Sequence, residues 1–225
     1  MIIHTFNFEK LINSFREKNI KKLKQNTQQL FDFLINGNIT KFDFFYHPLG
    51  FIYCKLYVSK NSDEIIRLHI WDSEFHKIAT ELDIHTHYYE INSFVIKGQI
   101  VNEVYSEKID YSEDYEKHYI YKGEYLNDNR ILKKTDSFLN LIKSNKEIIK
   151  QNELYKIELN TFHKGYPSNF EEMTATIVFN ENHQAPNPII VGTENLSDNM
   201  FFKTTQVDSS IIQKILTKLF NPPLE

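Results

Sequence analysis

Two histidines separated by a single residue form the pattern in this sequence that is best suited to chemistry. His85 and His87 open the segment IHTHYYEINSFVIKG, which spans residues 84–98. On a β-strand, residues two apart project from the same side, so two imidazoles at this spacing can share one cation. Spacing alone is weak evidence, because a chain with nine histidines can place two of them this way by chance. The pair therefore indicates a metal site only if other elements bring a further ligand.

The segments around the pair predict strands that could supply such a ligand. After the histidines, Phe94-Val95-Ile96 continues the strand, and Lys97-Gly98 predicts a tight turn that returns residues 99–105 alongside the histidines. Later in the chain, His163 follows a predicted strand at 154–159 and precedes another at 174–179. His163 is therefore the candidate third ligand.

These residues resemble the two sequence motifs of the cupin family. In the first motif, His-x-His is followed by a glutamate and then by a glycine between two strands, which matches His85, His87 and Gly98. Glu90 stands one place earlier than the family's glutamate, so it could be a ligand only if a β-bulge re-aims it; a salt bridge or a hydrogen bond near the site is the alternative. His163 resembles the histidine of the second motif, although the usual Pro and Gly before it are replaced by LNTF at 159–162.

The resemblance covers roughly residues 64–191 and implies a mainly β fold, the cupin double-stranded β-helix or jelly-roll barrel. Three imidazoles, or two and a carboxylate, leave about three open positions on an octahedral ion, which suits non-haem Fe(II); zinc, manganese or nickel would also be held. The implied function is a cupin dioxygenase-like Fe(II) oxygenase acting on a small organic molecule. The alternatives are a non-redox cupin (a sugar or small-acid isomerase, or a metal-binding or small-molecule-binding module) and a degenerate barrel that serves as an interaction scaffold.

Aromatic and histidine side chains near the pair are candidate substrate contacts. Tyr89 follows the pair directly, and His69 and Trp71 alternate on a predicted strand at 65–71. Tyr105 ends the strand expected to return beside the histidines. A ligand pocket needs apolar walls with a few polar groups, so these four residues are predicted to line it. His183, after the last strand of the motif region, could lie at the mouth of the barrel.

Hydrophobic periodicity predicts how the rest of the chain is organised. Apolar residues recur every three or four positions from 7 to 35, which predicts one long helix or two short ones ending at Asn36-Gly37-Asn38. Alternation then predicts strands, with a hairpin around Pro48-Leu49-Gly50. Two more helices are expected, at 136–150 with Thr135 as the cap and at 209–220. The predicted organisation is an N-terminal helical segment at 1–38, a barrel at 39–205 with a helical insert at about 135–150, and a C-terminal helix at 206–225.

Composition narrows the class of protein. With 18 Phe and 13 Tyr but only 6 Gly and 6 Pro, the chain should form a compact globule. A net charge of -4 gives no reason to expect a nucleic-acid partner, and no run approaches the roughly 18 apolar residues of a membrane span. The N-terminus lacks the features of a signal peptide, so a cytoplasmic protein with a small-molecule substrate is expected. Two roles stay open for the N-terminal helices: capping an end of the barrel or forming a homodimer surface.

Overall fold

The computed structural model describes residues 6–75, 81–108, 116–126, 129–184 and 188–220. Over these ranges the chain is mainly β, with two antiparallel seven-stranded sheets and three α-helices. The predicted N-terminal helical region forms two short helices, and the predicted C-terminal helix is confirmed with the expected bounds. The helices are α1 (Phe8–Arg16), α2 (Ile20–Phe33) and α3 (Ser209–Phe220).

Asparagine caps explain why the N-terminal region divides into two helices. The side chains of Asn7 and Asn19 accept hydrogen bonds from the backbone N–H groups of Lys10 and Lys22, so each starts a new helix. After α2 the chain continues through a π-helical turn (Leu34–Asn38) and a 3-10 turn (Ile39–Lys41). Gly37 adopts a φ of 91° in the first of these turns, which ends the α-helix as the sequence predicts.

The strands divide between two sheets. Sheet A has the order β14-β1-β2-β3-β11-β5-β9, with strands β1 (Phe44–Tyr46), β2 (Ile52–Val58), β3 (Ile65–Trp71), β5 (Glu90–Lys97), β9 (Leu154–Ile157), β11 (Thr174–Glu181) and β14 (Thr205–Gln206). Sheet B has the order β13-β8-β6-β10-β4-β12-β7, with strands β4 (Ile84–His85), β6 (Gln99–Glu107), β7 (Lys117–Leu126), β8 (Asn129–Lys150), β10 (Phe162–Pro167), β12 (Ile190–Gly192) and β13 (Asn199–Lys203). The predicted hairpin at 48–50 is confirmed, because it joins the paired strands β1 and β2.

Sheet A separates the helices from sheet B. Alternate residues on one of its faces, such as Leu68 and Ile177, form a core with all three helices. On the other face, Trp71 and Val95 pack with Ile100 of sheet B. The period-two alternation of the strands thus gives sheet A two buried faces, one against helices and one against sheet B. Cys54 lies on the helix side, where burial raises the pKa of its thiol to about 12, as expected for a structural cysteine.

The predicted hairpin between β5 and β6 does not form. β5 pairs with β11 and β9 in sheet A, whereas β6 pairs with β10 and β8 in sheet B. Gly98, between the two strands, has a φ of 71°, and a Cβ on it would lie 2.3 Å from Thr174 Oγ1. The glycine therefore passes the chain from one sheet to the other instead of folding it back.

The predicted helical insert is also wrong, because residues 136–150 belong to the long strand β8. Along its length this strand pairs first with β7, over residues 129–140, and then with β6, over residues 141–150. The charged residues near its end are compatible with a helix. Between residues 136 and 150, pairing with β7 and then with β6 gives the strand backbone hydrogen bonds along one side, and this long-range contribution overrides the local helical preference.

The strands of sheet B from β8 to β7 pair in a closed ring. From β8 the pairings run through β6, β10, β4 and β12 to β7, and β7 pairs again with β8. The short strand β4 lies between β10 and β12, so its flanking strands hold it on both sides. Among the described residues, no helix is long and apolar enough to cross a lipid bilayer.

Candidate metal centre

The candidate site is built where β4 and β10 pair in sheet B. His163 of β10 lies directly opposite His85 of β4 in the antiparallel register, so their side chains project from the same face. His87 lies beyond the end of β4, and its carbonyl oxygen accepts a hydrogen bond from the N–H of Asn160 at 3.1 Å. Residues far apart in sequence are in this way brought to one place by strand pairing. The prediction that His85, His87 and Phe94-Val95-Ile96 share one strand is therefore wrong, because β4 belongs to sheet B and β5 to sheet A.

The three imidazoles converge closely enough to hold one metal ion. One ligand atom from each of His85, His87 and His163 lies within 4.8 Å of the others. The Nε2 atoms of His87 and His163 are 2.9 Å apart. At this distance the two Nε2 atoms form a hydrogen bond, so the two rings point into the same space.

Hydrogen bonds orient two of the rings so that their Nε2 atoms are left for a metal. His85 Nδ1 lies 3.0 Å from the carbonyl oxygen of Asp83, and His163 Nδ1 lies 3.1 Å from Oδ1 of Asn102. Both partners are acceptors, so each Nδ1 carries the proton and each Nε2 keeps its lone pair. An orienting acceptor of this kind is the usual companion of a metal-binding histidine.

Burial keeps the three imidazoles in the form that binds metals. Burial lowers the pKa of His85, and it lowers the pKa of His87 and of His163 well below the ordinary value of 6.5. The neighbouring imidazoles act in the same direction on His87, because a second positive charge beside the first is unfavourable. The three rings are therefore neutral near pH 7, as metal ligation requires.

Glu90 is not part of this group of three. Its carboxylate forms an ion pair with Lys156 at 3.0 Å and accepts a hydrogen bond from Asn182 at 2.7 Å. Burial is the largest single effect and raises the pKa of this carboxyl, but the hydrogen bonds from Asn182 and Lys156 and the charge of Lys156 together hold the pKa below its usual value. The structure thus places Glu90 in the salt bridge that was the alternative to ligation.

Of the four predicted substrate contacts, Tyr89 packs against one of the three histidines. The ring centroid of Tyr89 is 5.0 Å from that of His87. His69 packs against Phe51 on the inner face of sheet A, with 4.7 Å between the ring centroids, and burial lowers its pKa to about 3. Tyr89 is therefore placed beside the candidate centre, and His69 lies on the face of sheet A that is turned towards sheet B.

Trp71 and Tyr105 are not brought to the three histidines. Trp71 is part of a buried apolar cluster that joins the two sheets. Tyr105 donates a hydrogen bond from its hydroxyl to Glu103 at 2.9 Å. On β6, Val104 is the cross-strand partner of His163, and Glu103 and Tyr105 are the residues on either side of Val104. Tyr105 therefore lies on the opposite face of sheet B from His163.

Three residues near the site were missed by the sequence interpretation. Asn102 orients His163, and Arg67 lies close enough to lower the pKa of His87. Burial and the nearby His69 and His85 lower the pKa of His47 well below the ordinary value. In the sequence, Arg67 could have been found from its alternation with His69 on the same predicted strand. The positions of Asn102 and His47 near the site depend on long-range contacts, which no local pattern encodes.

The comparisons with known proteins found no match for this chain. No family model matches the chain, and no curated protein matches it significantly. A function for this chain therefore rests on the three histidines and on the strands that hold them.

Proposed function

We propose that this chain is a metal-dependent protein of the cupin type, and that it acts as a non-haem Fe(II) oxygenase on a small organic molecule. The observation that carries the proposal is the convergence of His85, His87 and His163, with the Nε2 atoms of the last two 2.9 Å apart. Three neutral imidazoles on one side of an octahedral ion leave the other side open for ligands, which is the arrangement that non-haem Fe(II) oxygenases use.

The architecture supports this proposal. Two antiparallel sheets face each other through a buried cluster. Two facing antiparallel sheets are also the layout of a double-stranded β-helix, and cupins hold their histidines on its inner wall. His85 and His163 project from one face of sheet B, and buried His69 lies on the facing side of sheet A. The resemblance of the sequence motifs and the layout of the sheets thus favour the same family.

The chain's own residues would hold the metal and prepare its surroundings. His85, His87 and His163 would supply three nitrogen ligands, and Asp83 and Asn102 would hold two of these rings in place. Bound iron would supply a centre at which molecular oxygen and a substrate can be activated together. His163 and Tyr89 are buried while His85 and His87 are partly exposed, so a ligand could approach the metal from the side of these two histidines, and Tyr89 forms an aromatic wall next to His87.

Metal analysis of the purified protein tests the site itself. We expect about one equivalent of a divalent ion per chain, lost in both His85→Ala and His163→Ala. A matched control is His118→Ala, which removes a buried histidine whose Nδ1 faces the carbonyl oxygen of Glu116 and which is not one of the three. Full occupancy in both site variants would overturn the proposal.

Oxygen uptake by the Fe(II)-loaded protein tests the reaction class. Screening thiols, amino acids, phenols and 2-oxo acids should identify a compound that raises oxygen consumption in the wild type and not in His163→Ala. A protein that binds one metal ion but consumes no oxygen with any compound would instead be a non-redox cupin, such as a sugar or small-acid isomerase or a binding module.

A further inference from the structure

Arg67 brings a positive charge next to the candidate metal centre. It lies on β3 two residues before His69, and therefore on the face of sheet A that is turned away from the helices. Its guanidinium carbon is 5.3 Å from the Tyr89 ring centroid, and its Nη1 donates to the Tyr89 hydroxyl at 3.2 Å. The Tyr89 ring in turn packs against His87. A single aromatic side chain thus separates the guanidinium from one of the three histidines.

The guanidinium of Arg67 has few acceptors within the protein. Among the residues that the structure describes, its only hydrogen bond is the one to Tyr89, although a guanidinium carries five N–H donors. Its Nε is buried without a partner, and no carboxylate among the described residues forms an ion pair with it. A buried donor without an acceptor destabilises the folded chain, and more so when the group is charged.

A second positive charge lies across the strand from Arg67. Lys55 of β2 is its direct partner in the antiparallel register. Like charges in directly opposite positions repel each other. Burial and the charge of Arg67 both lower the pKa of Lys55. The pair is therefore an unfavourable arrangement for the folded chain alone, and an anion between the two groups would relieve it.

The nearby histidine His183 adds another unpartnered nitrogen. Its ring meets the Tyr89 ring edge-on, with 5.1 Å between the centroids, and its buried Nδ1 has no hydrogen-bond partner among the residues that the structure describes. Arg67 Nε and His183 Nδ1 thus belong to two side chains that both contact Tyr89. Buried polar atoms that lack partners in one small region are typical of a site shaped for a polar ligand.

We propose that Arg67, with Lys55 and His183 beside it, binds the carboxylate of a small organic acid whose other end reaches His85, His87 and His163. A carboxylate fits because it is planar and can accept two parallel hydrogen bonds from a guanidinium, and Arg67 uses only Nη1 within the protein. As a statement about the substrate class, this inference rests on the proposed function. The carboxylate subsite itself stands on the contacts of Arg67 and does not need a metal.

The test is a binding measurement on the metal-free full chain with matched probes. Ligand-observed NMR titrations would compare acetate with acetamide and benzoate with benzamide, so that each pair differs in charge but hardly in shape. We expect one or both carboxylates to bind at least about tenfold more tightly than the matching amide, and Arg67→Gln to remove that preference. Arg16→Gln is the control, since Arg16 is an exposed arginine paired with Glu64.

Two results would overturn the subsite: equal binding of carboxylate and amide by the wild type, or an undiminished preference in Arg67→Gln. If Arg67→Gln does not fold, Arg67→Lys decides, because it keeps the charge but loses the planar pair of donors; binding as tight as that of the wild type would then contradict the proposal. Metal content is measured separately. Carboxylate binding without any metal binding would refute the proposed function and leave the subsite standing.

Discussion

The Nε2 atoms of His87 and His163 lie 2.9 Å apart, although the two residues are 76 positions apart in the sequence. The proton of His163 is on Nδ1, which donates a hydrogen bond to Oδ1 of Asn102. The proton in the hydrogen bond between the two Nε2 atoms therefore belongs to His87. A metal ion would take the place of this hydrogen bond and bind both nitrogens, and the proton of His87 would then move to its Nδ1. Because the three rings are already neutral near pH 7, metal binding should release no proton there, but the metal affinity should depend on the orientation of each ring.

Asn102 should control the affinity for metal without being a ligand. In Asn102→Leu, His163 loses the acceptor that holds its ring, and we expect metal affinity to fall by about 10- to 100-fold. Asn102→Asp retains an acceptor oxygen and should recover most of the affinity. Competition titrations with a chelator measure both variants. Equal affinity in Asn102→Leu and the wild type would show that the hydrogen bond does not position His163.

Glu90 should be dispensable for metal binding. Its carboxylate is paired with Lys156 and hydrogen-bonded to Asn182, so Glu90→Gln should leave the metal stoichiometry unchanged. Because Lys156 is partly exposed, the lost ion pair should lower the free energy of unfolding by no more than about 1 kcal/mol. Metal analysis and urea unfolding of the same preparation give both values. Loss of the ion in Glu90→Gln would instead make this carboxylate a ligand.

His69 should make the folded protein less stable in acid. Its pKa is about 3 in the folded chain and near 6.5 when the ring is in water. Between these values the unfolded chain binds a proton that the folded chain does not, so stability is complete above about pH 6.5 and falls as the pH decreases towards 3. The loss should be on the order of 1 kcal/mol per pH unit.

Urea unfolding between pH 7 and pH 5 tests this expectation. His69→Asn should show a shallower dependence of the free energy of unfolding on pH than the wild type. Tyr53→Phe is a suitable control, because Tyr53 is the cross-strand partner of His69 and does not titrate in this range. The same pH dependence in His69→Asn and the wild type would argue against a buried neutral imidazole.

Gly98 should be far less tolerant of a side chain than Gly37. Both have positive φ, of 71° and 91°, so alanine strains the backbone at either position by about 1 kcal/mol. At Gly98 a Cβ would also lie 2.3 Å from Thr174 Oγ1 and 2.9 Å from the carbonyl oxygen of Met173, whereas nothing lies within 4 Å at Gly37. Gly98→Ala should therefore cost several times as much as Gly37→Ala in the free energy of unfolding. Equal costs, measured by denaturant unfolding, would mean that the passage between the sheets is not tightly packed.

The long strand β8 shows why part of the fold was not predictable from the sequence. Residues 136–150 contain helix-forming residues and apolar side chains at helical spacing, and no local feature marks them as a strand. Their partners, β6 and β7, are other segments of the chain, so the strand exists only through long-range pairing. The same reason explains the error at Lys97-Gly98, where a turn signal turned out to be a passage between two sheets.

The sequence by itself determined the terminal helices, the first hairpin and the proximity of His85 and His87, because these depend on capping, periodicity and separation over a few residues. The sequence also pointed to His163 through its motif context. It did not determine that His87 lies beyond the end of the strand that carries His85. Only the tertiary structure decided that His163 faces His85, that Glu90 pairs with Lys156 and that Arg67 stands beside Tyr89. Each of these relationships depends on strand register between distant segments, and a register is set by the packing of whole sheets, which local residue patterns do not contain.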